Sequence, residues 1–442
     1  MERLKKSTLF YYSLTDLPIA MSLFPVAVFI PRFYSNDIGI PVALVGAIII
    51  VVRIFDVITD PLMGYISDHT HTRFGRRKPW ILAATPIMML SIYMLFMPPE
   101  GAGVVHLSVW YMLLSVAITM MLIPYYAWGA ELSTDYNERS RITGGRAMAG
   151  ITGSFTAQLV PGAALLLFGI GGSDVVLQLV GITMLIVMPV SVTLTLLKTP
   201  EPASDRRSVV PVLKGLKLMW GNGPFKQLVL AFMIGSIGLN ITTPLYLFFI
   251  ADVLNAEDQA IYMLIFFFLT SFMAVPFWVW LARRIGKHRA YLAAFFMLAF
   301  AHPFYLLLGE GDFWWMLPIT LTTGFASGGF SATLPNSMKA DVIDLDTLRS
   351  GENRAALFFS AWSFAQKATS SIGTAFAMFG LALFGFVAGA DNGPDELFGV
   401  RFLFSTFPSI FFLAGAAIVW KYPITEERHA EIRAELEARA SG

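Results

Sequence analysis

The sequence predicts an all-α membrane protein with twelve transmembrane helices in two six-helix bundles. Three observations support this fold class: an apolar composition, the recurrence of apolar stretches about 20 residues long, and one long polar interval near the midpoint of the chain. A hydrocarbon core about 30 Å thick is crossed by about 20 helical residues, so each such stretch is a candidate span.

The composition excludes several classes of protein. Of 442 residues, 56% are hydrophobic and 14% are charged, whereas about 25% of the residues of an average soluble domain are charged. The net charge of +1 gives no overall field that would attract nucleic acid. Because the chain has no cysteine, it has no disulfide, thiolate nucleophile or cysteine-bound metal. The residue groupings of a membrane enzyme are also missing, so we expect no catalytic site and no cofactor.

The candidate spans follow one another along the whole chain. The first begins after a short basic segment, carries Asp16 and has no small-residue cleavage site, so we expect a retained helix and not a cleaved signal peptide. The predicted spans lie near residues 9–33, 41–66, 79–98, 106–131, 143–169, 175–197, 225–251, 259–282, 289–309, 313–337, 355–388 and 397–421.

The connections between these spans fall alternately on two sides, which differ sharply in charge. One side carries Arg3, Lys5, Lys6, Arg73, Arg76, Arg77, Lys78, Arg139, Arg141, Arg206, Arg207, Lys214, Lys217, Arg283, Arg284, Lys287 and Arg289. The other side carries Glu100, Asp174, Glu257, Asp258, Glu310, Asp312, Asp391, Asp395 and Glu396. Cytoplasmic loops are enriched in Lys and Arg, so we expect both termini in the cytoplasm and the protein in the plasma (inner) membrane.

The polar interval near the midpoint divides the chain into two halves. We predict an N-terminal bundle at 1–198, a cytoplasmic linker at 199–224, a C-terminal bundle at 225–421 and a charged cytoplasmic tail at 422–442. Basic loops after the second and eighth spans suggest a parallel repeat of the halves, an arrangement known in transporters; the alternative is a coincidence of basic loops. The alternating Glu and Arg of the tail predict a solvated helix.

Several motifs closely resemble the major facilitator superfamily, in particular its glycoside/pentoside/hexuronide:cation symporters, typified by the melibiose permease. The most specific is RIFDVITDPLMGYISD at 53–68 followed by RFGRRKPW at 73–80; IPYYAWGAE at 123–131, DVID at 341–344 and FFSAWSFAQK at 358–367 agree with it. The resemblance covers nearly the whole chain. It implies two six-helix bundles, alternating access, and symport of a small solute with Na⁺, Li⁺ or H⁺.

Two acids in the second span are the candidate cation site. Asp56 and Asp60 are four residues apart and share one helix face, with Arg53 beside them. Carboxylates inside a membrane are costly unless they are paired or face a water-filled path, and their hard oxygens suit Na⁺ or a proton. The resemblance adds Thr59, where the melibiose permease has Asn, and Thr119. The alternative interpretation is a static bridge between Arg53 and one of the acids.

The resemblance also indicates a substrate site. Asp16 and Arg146 match a sugar-binding acid and base of the melibiose permease, and Tyr126 matches its substrate-stacking Trp. A second sugar-binding acid of that permease corresponds to Leu122 here, so recognition of that galactoside type is not expected. Two alternatives remain open: Asp16 and Arg146 simply pair with each other, and Tyr126 is an ordinary packing residue.

Lys367 lies in the middle of the eleventh predicted span, where an isolated ammonium is costly. We expect it to contact the substrate or the second-span acids and so to couple the halves; the alternative is a static countercharge. A separate gating role is predicted for Asp68, Arg73, Arg76 and Arg77 in the basic loop after the second span.

Together these observations predict a cation-coupled secondary transporter that works as a monomer in the lipid bilayer. The expected cargo is a sugar, a glycoside or a related small polar solute. The alternative cargo is an amphiphile such as a lysophospholipid, since some animal relatives carry one. A membrane receptor or scaffold is the remote alternative, because it would not explain buried acids and bases in both halves.

Overall fold

The computed structural model describes residues 4–133, 136–169, 172–201, 221–351 and 355–441, and these residues form helices joined by short connections. The first half contains α1 (Lys6–Ser13), α2 (Asp16–Asn36), α3 (Val42–His69), α4 (Lys78–Phe96), α5 (Val104–Leu132), α6 (Tyr136–Phe168) and α7 (Ser173–Lys198).

The second half begins with α8 (Gly223–Phe248), which continues into a π-helical turn (Phe249–Val253). It continues with α9 (Ala260–Met273), α10 (Val275–Ile285), α11 (Lys287–Ala301), α12 (Met316–Ser327), a π-helical turn (Gly328–Thr333), α13 (Leu334–Ser350), α14 (Ala355–Leu383), α15 (Pro394–Phe404), α16 (Thr406–Val419) and α17 (Glu426–Ser441). Short 3₁₀ turns lie at Glu257–Gln259, His302–Leu307 and Phe313–Trp315.

Ten helical segments within the described ranges are long and apolar enough to cross a membrane: Lys6–Asn36, Val42–His69, Lys78–Phe96, Val104–Gly129, Arg141–Phe168, Asp174–Lys198, Gly223–Val253, Glu257–Ile285, Lys287–Leu307 and Pro394–Val419. The two remaining predicted spans are also helical, in α12 to α13 and in α14. They are less apolar because they contain many Gly, Ser and Thr residues as well as Lys367. The predicted all-helical membrane fold is therefore confirmed.

The described helices pack into two compact units. The first consists of the described residues of Met1–Arg207 with Glu257–Ile261 and Val387–Asp391, and the second consists of the described residues of Ser208–Ala256, Tyr262–Phe386 and Asn392–Gly442. The linker that the sequence predicts at 199–224 stays a prediction. Residues 202–220 of that interval lie outside the described part of the chain.

In the first unit, α2 packs against α6 and α7, and α5 packs against α3 and α4. The approach of α2 to α6 requires a glycine, because a Cβ added at Gly153 would collide with the backbone carbonyl of Leu17. The predicted first span is broken at Leu14 and Thr15, so that Asp16 becomes the first residue of α2. A carboxylate is favoured there because the N-terminus of a helix carries partial positive charge.

The second unit has an apolar core around α8, which packs against α14 and α16. The C-terminal helix α17 belongs to this unit. Its Ile432 is completely buried, in the same apolar cluster as Leu345 and Leu348 of α13. His429 adds polar contacts, because its Nε2 lies 3.2 Å from Asp344 Oδ2. The prediction of a fully solvated tail helix is therefore wrong for the face that carries Ile432.

Candidate functional site

The first candidate site lies in the first unit, where α2, α5 and α6 meet. The break before α2 brings the Asp16 carboxylate against α6, and Arg146 Nε donates a hydrogen bond of 2.8 Å to Asp16 Oδ2. The hydroxyl of Tyr125 lies 3.0 Å from the same oxygen. That hydroxyl also lies 2.8 Å from the carbonyl oxygen of Tyr12, whose own hydroxyl donates to the carbonyl of Tyr125 at 2.6 Å. The carboxylate thus accepts a hydrogen bond from Arg146 of α6, and it shares the single proton of the Tyr125 hydroxyl of α5 with the Tyr12 carbonyl.

Arg146 also contacts an aromatic ring. The central carbon of its guanidinium lies 3.8 Å from the centre of the Tyr126 ring, a cation–π arrangement. Tyr126 is 42% exposed, so it keeps open surface beside the ion pair. The Asp16 contact uses Nε, and a guanidinium has five N–H donors, so further donors are available to other acceptors.

The structure therefore brings three of the four predicted substrate residues, Asp16, Arg146 and Tyr126, into one cluster. It also realises the alternative that Asp16 and Arg146 pair with each other. The two interpretations are compatible, because the pair uses only one edge of the guanidinium. Leu122, which replaces the second expected acid, is half-buried on α5, so the cluster has one carboxylate and one guanidinium and is electrically neutral.

A second cluster lies between α3 and α5 of the same unit. Asp56 is 4% exposed, and its Oδ2 accepts a hydrogen bond of 3.1 Å from Arg53 Nη1. The hydroxyl of Ser115 donates to Asp56 Oδ1. One turn further along both helices, the Thr119 hydroxyl donates to Asp60 Oδ1 at 2.8 Å. Two acids four residues apart on α3 thus face two hydroxyls four residues apart on α5.

Of the predicted cation residues, Asp60 and Thr119 are in contact, and Asp56 lies on the same face of α3. The Thr59 hydroxyl instead points to its own helix, where it donates to the carbonyl of Phe55 at 3.2 Å. Ser115 was missed by the sequence analysis. Its position four residues before Thr119 is the signal that could have identified it, since residues four apart share a helix face.

Three of the four predicted gating residues, Asp68, Arg76 and Arg77, belong to a third cluster, at the end of α3. Arg77 is 4% exposed, and its guanidinium contacts Glu131 Oε1 at 2.7 Å, Asp68 Oδ1 at 2.5 Å and Ser67 Oγ at 2.6 Å. Arg76 Nη2 contacts the same oxygen of Glu131 at 2.9 Å. Burial alone would lower the pKa of Arg77, but Glu131 and Asp68 outweigh it and raise that pKa above its ordinary value.

Arg73, the fourth predicted gating residue, is not among the groups that contact Asp68 in the described part of the chain. Its guanidinium lies 4.7 Å from the centre of the Phe74 ring. A residue that sequence reasoning missed takes part instead: Glu201 Oε1 accepts hydrogen bonds from the backbone amides of Arg76 at 2.6 Å and Arg77 at 2.7 Å. Glu201 therefore satisfies amides at the start of α4, a position that favours an anion.

In the second unit, Lys367 lies on α14 and is half-buried. Lys367 is the lysine that the sequence singled out in this half, but Lys339 of α13 is more deeply buried, with 3% exposed. The Lys339 ammonium donates to Asn336 Oδ1 at 2.9 Å and lies 4.8 Å from the centre of the Trp362 ring. Among the lysines that the structure describes in the second unit, Lys339 is buried, and Lys226, Lys287 and Lys367 are half-buried.

Comparison with known proteins gives consistent results. A model of the family described as MFS/sugar transport protein matches residues 11–426. The chain is 25% identical to the glucuronide carrier protein homolog of Escherichia coli, over 99% of this chain and 97% of that protein. It is 26% identical to sodium-dependent lysophosphatidylcholine symporter 1 of Mus musculus, over 93% of this chain and 84% of that one. The crystal structure of the nucleoside transporter NupG matches with a TM-score of 0.64 at 13% identity, over 95% and 100% of the two chains; this last likeness concerns the fold alone.

Proposed function

We propose, from the premise that this chain belongs to the MFS/sugar transport protein family, that it carries a small sugar or glycoside across the membrane together with a coupling cation. The family consists of transport proteins, and the relatives named above are carriers or symporters and not enzymes. Both findings support a cation-coupled transporter. Within this function, the nature of the solute and of the cation is our proposal.

The observation that carries the proposal is the cluster of Asp16, Arg146 and Tyr126. Adjacent sugar hydroxyls donate to a carboxylate, the remaining N–H groups of the guanidinium donate to sugar oxygens, and the exposed tyrosine ring offers a face to the sugar. Because the cluster is neutral, it carries no excess negative charge that would repel an acidic sugar. We therefore favour a glycoside with a carboxylate, the kind of solute named for the glucuronide carrier protein homolog.

The second candidate substrate is a lysophospholipid. Two observations favour it: the similarity to sodium-dependent lysophosphatidylcholine symporter 1, and the apolar Leu122 in the place of a sugar-binding acid. A phosphodiester and a carboxylate would both be recognised by the Arg146 guanidinium. Both candidates offer an anionic group to Arg146, and the lysophospholipid differs by its phosphodiester and its long apolar tail.

A ligand-binding measurement on the purified protein separates these candidates. A methyl glucuronide, a methyl glucoside and a lysophosphatidylcholine are each added in the presence and absence of Na⁺, and thermal unfolding is followed. A ligand at 100 times its dissociation constant adds about 2.7 kcal/mol to the free energy of unfolding. We expect the glucuronide to stabilise the wild type and to have little effect on Arg146→Ala.

The matched control is Arg428→Ala, which removes an arginine from the surface of α17. This variant should respond to the glucuronide as the wild type does. Stabilisation by the lysophospholipid alone would replace the sugar proposal with the second candidate. Equal responses of wild type and Arg146→Ala to the glucuronide would remove Arg146 from the substrate site.

For the coupling cation, we propose the oxygens of Asp56, Asp60 and Thr119, with Thr59 beside them. Carboxylate and hydroxyl oxygens are hard ligands that suit Na⁺, and the same carboxylates suit a proton. Uptake into vesicles with an imposed Na⁺ or H⁺ gradient identifies the cation. We expect Asp60→Asn to abolish accumulation against a substrate gradient while the protein still reaches the membrane.

We further propose that the protein works as a monomer in the plasma (inner) membrane with both termini in the cytoplasm. The contrast between the basic and the acidic connections supports the orientation of the termini. Accessibility of a tag at each terminus, measured in intact cells and in inverted vesicles, tests this orientation.

A further inference from the structure

The proposed function leaves Tyr125 of α5 without a role, although its hydroxyl reaches Asp16. The Tyr125 ring is completely buried and stacks on that of Tyr12, with the ring centres 4.6 Å apart. The hydroxyl of each tyrosine also donates to the carbonyl oxygen of the other. A Cβ added at Gly129, one turn after Tyr125, would collide with the Tyr12 hydroxyl, so this glycine makes room for the pair. The pair therefore fixes the end of α1 against α5.

The break between α1 and α2 explains what the Tyr125 hydroxyl does there. In an unbroken helix, the carbonyl oxygen of Tyr12 would accept a hydrogen bond from the amide of Asp16, four residues later. The break at Leu14 and Thr15 interrupts this pattern, and the last carbonyls of a helix need other donors. The Tyr125 hydroxyl supplies one to Tyr12 at 2.8 Å and lies 3.0 Å from Asp16 Oδ2. One hydroxyl thus links the Asp16 carboxylate to the end of α1.

The donors to the Asp16 carboxylate in the described part of the chain both address the same oxygen. Arg146 Nε and the Tyr125 hydroxyl lie 2.8 Å and 3.0 Å from Oδ2. Arginine and carboxylate groups frequently pair through two parallel N–H···O bonds, which occupy both carboxylate oxygens. Such a closed pair would leave fewer donors and acceptors for a solute. Because Tyr125 shares Oδ2 with Arg146, the ion pair is held through one oxygen and Oδ1 stays available.

We propose that Tyr125 is a positioning residue of the substrate site, which anchors Asp16 by Oδ2 and thereby keeps Oδ1 and the remaining N–H groups of Arg146 open to the solute. This inference rests on the proposed substrate site. Tyr125 acts through Asp16 and does not itself contact the solute, because its side chain is completely buried. The neighbouring Tyr126, which is 42% exposed, offers its ring to the solute instead.

The test compares Tyr125→Phe with the matched control Tyr12→Phe. Each variant removes one buried hydroxyl from the same stacked pair, but only the hydroxyl of Tyr125 reaches Asp16. The dissociation constants of methyl glucuronide and lysophosphatidylcholine are measured with the purified protein. For the compound that binds the wild type, we expect Tyr125→Phe to raise the constant about tenfold, the scale of one hydrogen bond to a charged group, and Tyr12→Phe to stay within about twofold. Equal weakening in both variants would assign the pair a structural role and overturn the proposal, as would wild-type affinity in Tyr125→Phe.

The geometry of the ion pair gives a second readout, which a merely structural role would not change. In a structure of Tyr125→Phe without solute, Asp16 Oδ1 should lie within hydrogen-bond distance of the Arg146 guanidinium. A carboxylate that still meets Arg146 through Oδ2 alone would contradict the anchoring role. If the variant does not fold, a structure of the wild type with the bound compound decides: the solute should meet Oδ1 while Tyr125 stays on Oδ2, and a solute that replaces Tyr125 on Oδ2 would overturn the proposal.

The result for Arg146→Ala keeps this inference apart from the proposed function. If Arg146→Ala loses binding of the compound while Tyr125→Phe binds as the wild type does, the substrate site stands and the inference about Tyr125 fails. If Arg146→Ala binds the compound normally, the proposed substrate site itself fails.

Discussion

Replacement of Arg77 by Ala should cost far more stability than replacement of Arg73, although both arginines belong to one basic loop. Arg77 is buried and neutralises Glu131 and Asp68, whereas Arg73 lies over the Phe74 ring. Removal of one partner of a buried ion pair costs about 3–5 kcal/mol, because the other charge stays buried without compensation.

The structure places the expected loss of stability in Arg77→Ala at the lower end of that range. The side chain of Asp68 is 34% exposed, so water screens its charge. Arg76 also remains in contact with Glu131 and compensates part of the loss. We therefore expect the free energy of unfolding to fall by about 3 kcal/mol in Arg77→Ala, a change of about a hundredfold in the unfolding equilibrium.

Reversible unfolding of the purified protein in detergent, followed by circular dichroism as a denaturing detergent is added, measures this loss. Arg73→Ala is the matched control and should stay within about 0.5 kcal/mol of the wild type. Arg77→Lys should fall between them, because an ammonium keeps the charge but lacks the planar fork of donors. Equal stability of Arg77→Ala and Arg73→Ala would refute this account of the cluster.

Three other variants test separate parts of the structure. Gly75→Ala should unfold more easily than Gly101→Ala: both glycines have positive φ, +103° and +79°, but only at Gly75 would an added Cβ collide with a side chain, the carboxylate of Glu201. Each substitution carries a backbone cost of about 1–2 kcal/mol, so a melting temperature of Gly75→Ala equal to that of Gly101→Ala would contradict the Glu201 contact. Ile432→Asp should release α17 and expose it to proteolysis in the folded protein, and unchanged resistance would count against docking. Lys367→Ala should impair accumulation against a gradient and alter its cation dependence; full accumulation with unchanged cation dependence would leave Lys367 a structural charge.

The sequence predicted the helices well because each span carries its own evidence. A run of about 20 apolar residues identifies a membrane helix without knowledge of its neighbours. The same reasoning identified Asp56 and Asp60 as residues of one helix face. It did not identify the break at Leu14 and Thr15, because an apolar run looks the same whether it is one helix or two.

The contacts that were missed all depend on how different elements pack. Ser115 is important because α5 is placed so that its hydroxyl meets Asp56. Glu201 follows the sixth span and reaches amides more than one hundred residues earlier in the chain. Ile432 lies in a segment whose charges suggest solvation, and its burial depends on α13. Sequence periodicity reports which residues share a face, but not which face of another element lies opposite.

The packing also suggests how substrate and cation are coupled. Helix α5 carries Ser115 and Thr119 of the proposed cation site as well as Tyr125 and Tyr126 of the proposed substrate site. Thr119 and Tyr125 are six residues apart, about 9 Å along an α-helix, and Pro124 between them lacks the N–H that an interior helical residue donates. A solute that engages Arg146 and Tyr126 therefore acts on the same helix whose hydroxyls hold the two acids of α3. This arrangement would give coupling a route within the first unit, beside the contribution that is predicted for Lys367.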